Sequence, residues 1–374
     1  MDRKELYKRY QRQVILPGFG EQGQQKLLKA KVLVIGAGGL GCPVLQYLTA
    51  AGVGTIGIVD DDVVALNNLQ RQVLYSVNDI GFSKAERAAF ILQQLNPGIN
   101  IISCKERLTV QNALILFEEF EIVIDGTDNF STRYLINDAC VLLNKPLVYG
   151  AISQFEGQVS VFNVKQTDNA EAVNYRDLFP HPPKEDDALN CADSGVLGVL
   201  PGIIGVMMAN ETIKLITGIG ETLANQLLTY NALNNQVYQV ALSARNGTRS
   251  LIPENEAAFL QMDYEWLCSS GETQIVIDVD MFNSLIVNGN VDVIDVREPD
   301  ETPAVNDFSY IKIPLSQLAQ NTSLIKSETI VTFCQSGKRS LQAVKILSGI
   351  FGGDKKIYSL RGGILEWKEQ KQPI

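Results

Sequence analysis

Along the front of the chain, short solid apolar runs alternate with amphipathic stretches. Lys31-Val32-Leu33-Val34-Ile35 is a β-branched run ending in Gly36-Ala37-Gly38-Gly39-Leu40-Gly41, and a helix-like stretch follows from Cys42 to Ala51. A second run, Ile56-Gly57-Ile58-Val59, is closed by Asp60. Strand, glycine turn, helix, strand and acid together make a βαβ unit. The pattern returns at Ile122–Ile124, closed by Asp125-Gly126-Thr127-Asp128-Asn129, and at Pro146–Tyr149, which leads into Gly150. From Gly195 to Ala209 the chain is apolar and uncharged. That is too short for the roughly 20 residues of a membrane span, so it predicts a buried helix. Leu227–Tyr230 and Gln236–Leu242 alternate as a closing hairpin.

Two stretches break the pattern. Residues 165–193 hold few apolar positions and read as a long, mobile crossover loop; loops of such length in a compact domain are usually functional. Residues 244–273 are polar and weakly periodic and read as a linker. A new α/β pattern then begins, with strands at Val291–Arg297, Thr329–Phe333 and Lys356–Leu360 and a helix at Ser340–Leu347. The expected architecture is a doubly wound, Rossmann-like α/β domain over 1–243 and a smaller α/β domain over 274–374.

Composition narrows the class. Apolar residues make up 45% and charged residues 20%, which excludes disordered, collagenous and disulfide-scaffold chains. A net charge of −10 without a Lys/Arg block argues against nucleic acid or an anionic membrane as partner. The charged start, Met1-Asp2-Arg3-Lys4-Glu5, lacks the apolar segment of a signal peptide. Six cysteines, none in a CxxC pair, fit a reducing cytoplasm.

The spacing Gly36-x-Gly38-x-x-Gly41 between strand and helix lets the backbone approach phosphate oxygens at a helix N-terminus. Asp60, 24 residues after Gly36, stands where a carboxylate grips a ribose hydroxyl. These residues point to an adenosine nucleotide without choosing between NAD and ATP. Asn67-Asn68-Leu69-Gln70-Arg71-Gln72 and Lys84 follow. Cations so near the phosphates serve attack on ATP, where charge on the phosphoryl oxygens must be neutralised. Asp128 would hold the accompanying Mg²⁺. Taken singly, Arg71 and Lys84 also fit a solvated helix face, and Asp128 a helix N-cap. An NAD(P)-linked oxidoreductase and a non-catalytic scaffold for a ubiquitin-like protein are the competing classes.

Arg9-Tyr10-Gln11-Arg12-Gln13, Gly36–Gly41, Asn68-Leu69-Gln70-Arg71-Gln72, Lys84 and Thr127-Asp128-Asn129 resemble the E1-like activating enzymes of the MoeB/ThiF/Uba4 group, over about residues 5–242. The resemblance implies ATP-dependent adenylation of the C-terminal glycine carboxylate of a small ubiquitin-like sulfur-carrier protein. It implies a homodimer in which Arg12 reaches the partner's ATP site. The ATP-binding set it suggests is Gly36, Gly38, Gly39, Gly41, Asp60, Asn67, Asn68, Leu69, Gln70, Arg71, Lys84, Asp128 and Asn129. Many members carry two CxxC pairs that hold zinc. Here their places, 174–177 and near 246–249, contain no cysteine, and His181 is the only histidine. The expectation is that zinc is absent.

Cys191, in Leu189-Asn190-Cys191-Ala192-Asp193-Ser194-Gly195, lies where relatives that handle sulfur are proposed to link to the activated carrier. Cys42, Cys104, Cys140 and Cys268 read as structural. Cys334-Gln335-Ser336-Gly337-Lys338-Arg339 follows a strand and precedes a helix, so its loop should form an anion-binding nest, with Lys338 and Arg339 adding positive charge. With Asp295-Val296-Arg297-Glu298 and Arg361-Gly362-Gly363-Ile364, this resembles a rhodanese domain over roughly 274–374. The expected product is a C-terminal thiocarboxylate, with sulfur supplied by a persulfide donor such as a cysteine desulfurase. The carrier expected first is the small subunit of molybdopterin synthase, ahead of the thiamine-pathway and tRNA-thiolation carriers.

Overall fold

The computed structural model describes residues 3–165, 171–182, 195–265, 276–299, 301–351 and 355–371. The chain divides into two compact units, Met1–Cys268 and Ser269–Ile374.

The first unit is built on β1 (Lys31–Ile35), β2 (Thr55–Val59), β3 (Asn100–Cys104), β4 (Ile122–Asp125), β5 (Leu147–Ser153), β6 (Glu156–Phe162), β7 (Gln226–Asn231) and β8 (Gln236–Ala241), in the order β3-β2-β1-β4-β5-β6-β7-β8. The first five strands run parallel, and β5 to β8 pair antiparallel. The solid apolar runs β1, β2 and β4 lie at the centre, where helices cover both faces, so almost every residue in them is buried. Helices α1 (Arg3–Val14), α2 (Gly20–Lys29), α3 (Gly41–Ala51), α4 (Lys84–Leu95), α5 (Ala113–Glu118), α6 (Phe130–Leu142), α7 (Tyr175–Leu178), α8 (Leu200–Thr217) and α9 (Glu256–Leu260) surround the sheet. Two apolar clusters flank it, one around Val32, Leu45 and Ile204, the other around Leu33, Phe117 and Tyr134.

Three expectations change. The strand at Pro146–Tyr149 runs on through Gly150 to Ser153 and turns back as β6; a side chain at Gly150 would strike the Met208 sulfur at 2.3 Å, so the bare backbone lets α8 pack against the strand. The apolar helix starts at Leu200 rather than Gly195, with Pro201 in its first turn. The crossover loop is packed over 171–182: Val173, Tyr175, Arg176 and Asp177 are buried. Its remaining parts, 166–170 and 183–194, lie outside the described residues.

The expected linker is the largest departure. Over 244–265 the chain lies on the first unit, with Ile252, Phe259 and Tyr264 buried. The anchor is polar. Arg176 grips Asp138 through Nε–Oδ1 and Nη2–Oδ2 bonds of 2.8 and 2.7 Å, and the Tyr264 hydroxyl donates to Asp138 Oδ2 at 2.8 Å. Next to it, Asp177 Oδ1 accepts from the Arg245 amide at 2.9 Å and from the Thr248 hydroxyl at 2.5 Å. A sparse set of aromatics and these bonds fix a segment whose sequence is mostly polar.

The second unit is a five-stranded parallel sheet, β9 (Val276–Ile277), β10 (Val291–Asp295), β11 (Ile311–Lys312), β12 (Thr329–Phe333) and β13 (Lys356–Leu360), in the order β11-β10-β12-β13-β9. Helices α10 (Val279–Asn288), α11 (Lys338–Phe351) and α12 (Gly363–Lys371) accompany it. Trp367 is buried and donates to Asn283 Oδ1 at 3.0 Å.

Tyr264→Phe removes a hydrogen bond to a buried carboxylate, and about 1.5–3 kcal/mol of local stability should go with it. Limited proteolysis read by mass spectrometry should then cut between residues 248 and 265 in the variant and spare that stretch in the unmodified protein. Equal cutting of both would contradict the anchor.

Candidate active site

In the first unit, a cavity of about 360 Å³ opens beyond the carboxyl ends of β1 and β4, where the strand order reverses. Such switch points leave a crevice in doubly wound sheets. Gly36, at φ +91°, turns the chain out of β1, and its amide donates to Val59 at 2.8 Å. A side chain on Gly36 would meet the Gly126 carbonyl oxygen at 2.8 Å, and one on Gly41 would lie 1.9 Å from the Gly36 oxygen. Gly36, Gly38 and Gly39 line the cavity; Gly41 starts α3 behind them. Asp60 stands opposite, its oxygens accepting from the Ala37 and Asp62 amides at 2.7 and 2.9 Å. Burial pushes its carboxyl up, against the pull of those amides and of Lys84.

Arg71, Lys84 and Asp128 also face the cavity. Lys84, read as a cation near the phosphates, is already paired: its buried ammonium donates to Asp62 Oδ2 at 2.8 Å. Arg71 bonds back to the Asn67 carbonyl at 3.1 Å, and its stem lies near Gly39. Asn67, Asn68, Leu69 and Gln70 do not line the cavity. Asn67 and Asn68 belong to the 3-10 turn Leu66–Asn68 and Leu69 caps it; the Asn68 carbonyl receives the Arg71 and Gln72 amides at 3.1 and 3.0 Å, so this segment places Arg71 from behind.

Asn129 is the N-cap of α6, accepting from Thr132 at 2.9 Å, so the cap role considered for Asp128 belongs to its neighbour. Asp128 is exposed in the cavity and, among the described residues, has no hydrogen-bond or ion-pair partner. Behind it Asp125 is fully buried and shapes the turn by accepting from the Thr127 amide and hydroxyl at 2.9 and 2.6 Å. Burial pushes the Asp125 carboxyl up, opposed by Arg133. The sequence reading missed Arg133 and Arg107, both in the cavity wall. Arg133 lies one helical turn beyond the cap and donates to Thr127 at 3.0 Å; that spacing was the available signal. Arg107 follows β3, a strand the pattern did not reveal.

Arg12 is exposed on α1 and does not line its own chain's cavity. Cys42 is buried, its thiol pushed up to about 12 by burial, and burial likewise raises Cys140 and Cys104. Cys191 and Cys268 lie outside the described residues.

In the second unit Cys334 sits at the carboxyl end of the central strand β12, 1% exposed. The Gly337 amide donates to its sulfur at 3.2 Å and the Ser340 hydroxyl lies 3.6 Å away. Ser359 donates to Ser340 at 2.8 Å from β13. The Arg361-Gly362-Gly363 turn braces the loop: Ile364 N bonds Cys334 O at 2.9 Å, and a side chain on Gly363 would come within 2.5 Å of that oxygen. Arg297 is buried in a bidentate pair with Asp295, at 2.9 and 2.8 Å, so this part of the motif is architectural. Arg339 was expected to add positive charge beside the thiol. It is instead paired with Glu301. The side chain of Lys338, the first residue of α11, is outside the described set.

Asp60 yields a pH expectation. A ribose hydroxyl held by Asp60, as the sequence reading expects, would bind the ionised carboxylate, and burial makes that form harder to keep. On that reading, nucleotide affinity weakens on acidification at a higher pH than an ordinary aspartate would set. Titration calorimetry across pH checks it: Asp60→Asn should bind more weakly and lose this dependence, and an unchanged profile in that variant would remove Asp60 from the site.

Residues 10–251 match the ThiF family, and residues 278–370 match the rhodanese-like domain. A Mycobacterium tuberculosis protein named a probable adenylyltransferase/sulfurtransferase, MoeZ, is 42% identical over 99% of this chain and 95% of its own. A sulfur carrier protein adenylyltransferase of Thermus thermophilus is 48% identical over 71% of this chain and 97% of its own. Among solved structures, Escherichia coli MccB with AMPCPP and the peptide MccA has the same fold, with a TM-score of 0.53 at 22% identity over 61% of this chain and 68% of that one. The chain belongs to the ThiF family, in the form that carries a rhodanese-like domain behind the nucleotide-binding unit.

Proposed function

We propose that this adenylyltransferase and sulfurtransferase activates the C-terminal glycine carboxylate of a small ubiquitin-like sulfur carrier and converts it to a thiocarboxylate. The observation that carries the reading is the convergence of Gly36, Gly38, Gly39, Asp60, Arg71, Lys84 and Asp128 on one cavity. The substrate supplies its own nucleophile, so no general base is needed. The carboxylate oxygen attacks the α-phosphorus of ATP, and pyrophosphate leaves. Positioning and charge neutralisation are the work of the site, with Arg71 at the phosphates and the glycine turn giving close backbone approach. The exposed oxygens of Asp128, without a partner among the described residues, suit a hard cation. Mg²⁺ bound there would neutralise phosphate oxygens. Arg12, exposed on α1, would serve the site of a second copy in a homodimer.

The second half of the reaction uses Cys334. Its thiolate takes sulfur from a persulfide donor such as a cysteine desulfurase. The terminal sulfur of the resulting persulfide attacks the acyl adenylate and AMP leaves. An external thiol then attacks the Cys334 sulfur of the acyl disulfide and releases the thiocarboxylate; where Cys191 first links to the activated carrier, the role the family resemblance gives it, its thiol displaces AMP and the persulfide then displaces Cys191. The molybdopterin synthase small subunit is the carrier proposed first, and a cytoplasmic enzyme is the setting. Among the described residues no helix is long and apolar enough to cross a membrane.

The two places where relatives carry zinc ligands are joined here in another way. Asn174, N-cap of α7, bonds Asp177 Oδ2 at 2.7 Å, and Asp177 Oδ1 holds Arg245 and Thr248. Amide, carboxylate and hydroxyl groups do not fit a tetrahedral thiolate or imidazole site, and we read this bond set as the zinc's replacement.

Three measurements test these readings. Incubation with ATP and each candidate carrier, followed by intact mass of the carrier, should show adenylate or one added sulfur on a single carrier. Asp128→Ala should abolish both products and carrier-dependent ATP–pyrophosphate exchange. Cys334→Ala should keep adenylation and lose the added sulfur. Exchange at the unmodified rate in Asp128→Ala would remove Asp128 from the site. Elemental analysis of tag-free protein should give well below one zinc per chain, and a stoichiometric, chelator-resistant zinc would refute the replacement.

A further inference from the structure

The loop Cys334–Arg339 has the residues of an anion cradle, yet its arginine is not available to an anion. Arg339 Nη2 bonds Glu301 Oε2 at 2.6 Å, and Nη1 bonds Oε1 in the same fork. Glu301 is fixed in turn, because Oε1 accepts the Glu298 amide at 2.9 Å. The next residue, Thr302, accepts from the Gln335 side chain at 3.4 Å, so the Glu301 segment meets the thiol loop at two points. The hydrogen bonds from Arg339 hold the Glu301 carboxyl down to about 2, and the pair is ionised at any working pH. The other arginines bordering the loop are also matched, Arg297 by Asp295 and Arg361 by Glu366 at 3.3 Å. Among the described residues, each of these three guanidinium groups thus carries its own carboxylate.

We propose that Glu301 is a specificity-determining residue for sulfur transfer: by neutralising Arg339 it disfavours small dianionic sulfur donors at Cys334 and selects the sulfur of an otherwise uncharged persulfide group, as a protein cysteine presents it. The inference rests on the sulfurtransferase reading of Cys334. With either donor the Cys334 thiolate attacks the outer, transferable sulfur. An S–S bond forms at Cys334 and the donor's S–S bond breaks. The leaving group takes the electron pair, as a thiolate from a persulfide and as sulfite from thiosulfate, and no external oxidant is needed. The difference between donors is charge. Thiosulfate brings two negative charges to a mouth whose arginine is already matched.

Full-length Glu301→Gln keeps acceptor oxygen and shape and removes one negative charge. Its KM for thiosulfate should fall by roughly threefold to tenfold, an effect that shrinks as salt is raised. Its KM for N-acetylcysteamine persulfide, which carries at most one negative charge, should fall by a clearly smaller factor. The rate of Cys334 alkylation by anionic iodoacetate relative to neutral iodoacetamide, read by peptide mass spectrometry, should rise by a similar factor. Arg339→Gln leaves Glu301 uncompensated and should move both readouts the opposite way. Unchanged thiosulfate KM and alkylation ratio in Glu301→Gln, or equal changes for both sulfur donors, would overturn the proposal. If neither donor is turned over by any of the proteins, the sulfurtransferase reading fails, while the alkylation ratio still decides whether Glu301 controls the charge at the thiol.

Discussion

The first unit depends on a backbone contact that only glycine permits. Where β1 and β4 end, Gly36 and Gly126 lie so close that a single methyl group on Gly36 would meet the Gly126 carbonyl oxygen at 2.8 Å. Gly41 then packs against the Gly36 carbonyl and brings the start of α3 up to the turn. With both strand ends drawn together, the residues after them diverge and the crevice opens between. Asp60 bonds the amide beside Gly36, and Asp125 bonds the residue after Gly126. One steric condition thereby sets the position of carboxylates from two different strands.

Much of this was legible in the chain because the central strands are buried on both faces and read as uninterrupted apolar runs. Where one face is solvated the signal weakens: β3 alternates imperfectly on the sheet edge, and its loss hid Arg107 beside it. The segment 244–265 was misread for a different reason. Its attachment uses Phe259, Tyr264 and Ile252 scattered among polar residues, and bonds to Asp138 and Asp177 more than 60 residues away in the chain. Local periodicity carries no record of such partners.

The same limit applies to charge. Lys84 and Arg339 were both legible as cations beside a reactive group, but Asp62 and Glu301 were not legible as their counterions. Lys84 is buried while its partner Asp62 is mostly exposed, and the pairing lowers the cost of desolvating the ammonium at the start of α4. Arg339 is partly exposed, so its pairing alters the field at the surface more than the stability beneath it. Both sites therefore present a smaller positive potential than their motifs suggest.

The staple built from Asn174, Asp177, Arg245 and Thr248 has a consequence for a protein that handles mobile sulfur. A zinc-bound thiolate remains a sulfur nucleophile that sulfane sulfur can meet. An amide, a carboxylate and a hydroxyl cannot accept it, and they are indifferent to oxidants and to the trace-metal supply of the cell. A chain fastened in this way keeps its shape without adding a competitor for its own cargo.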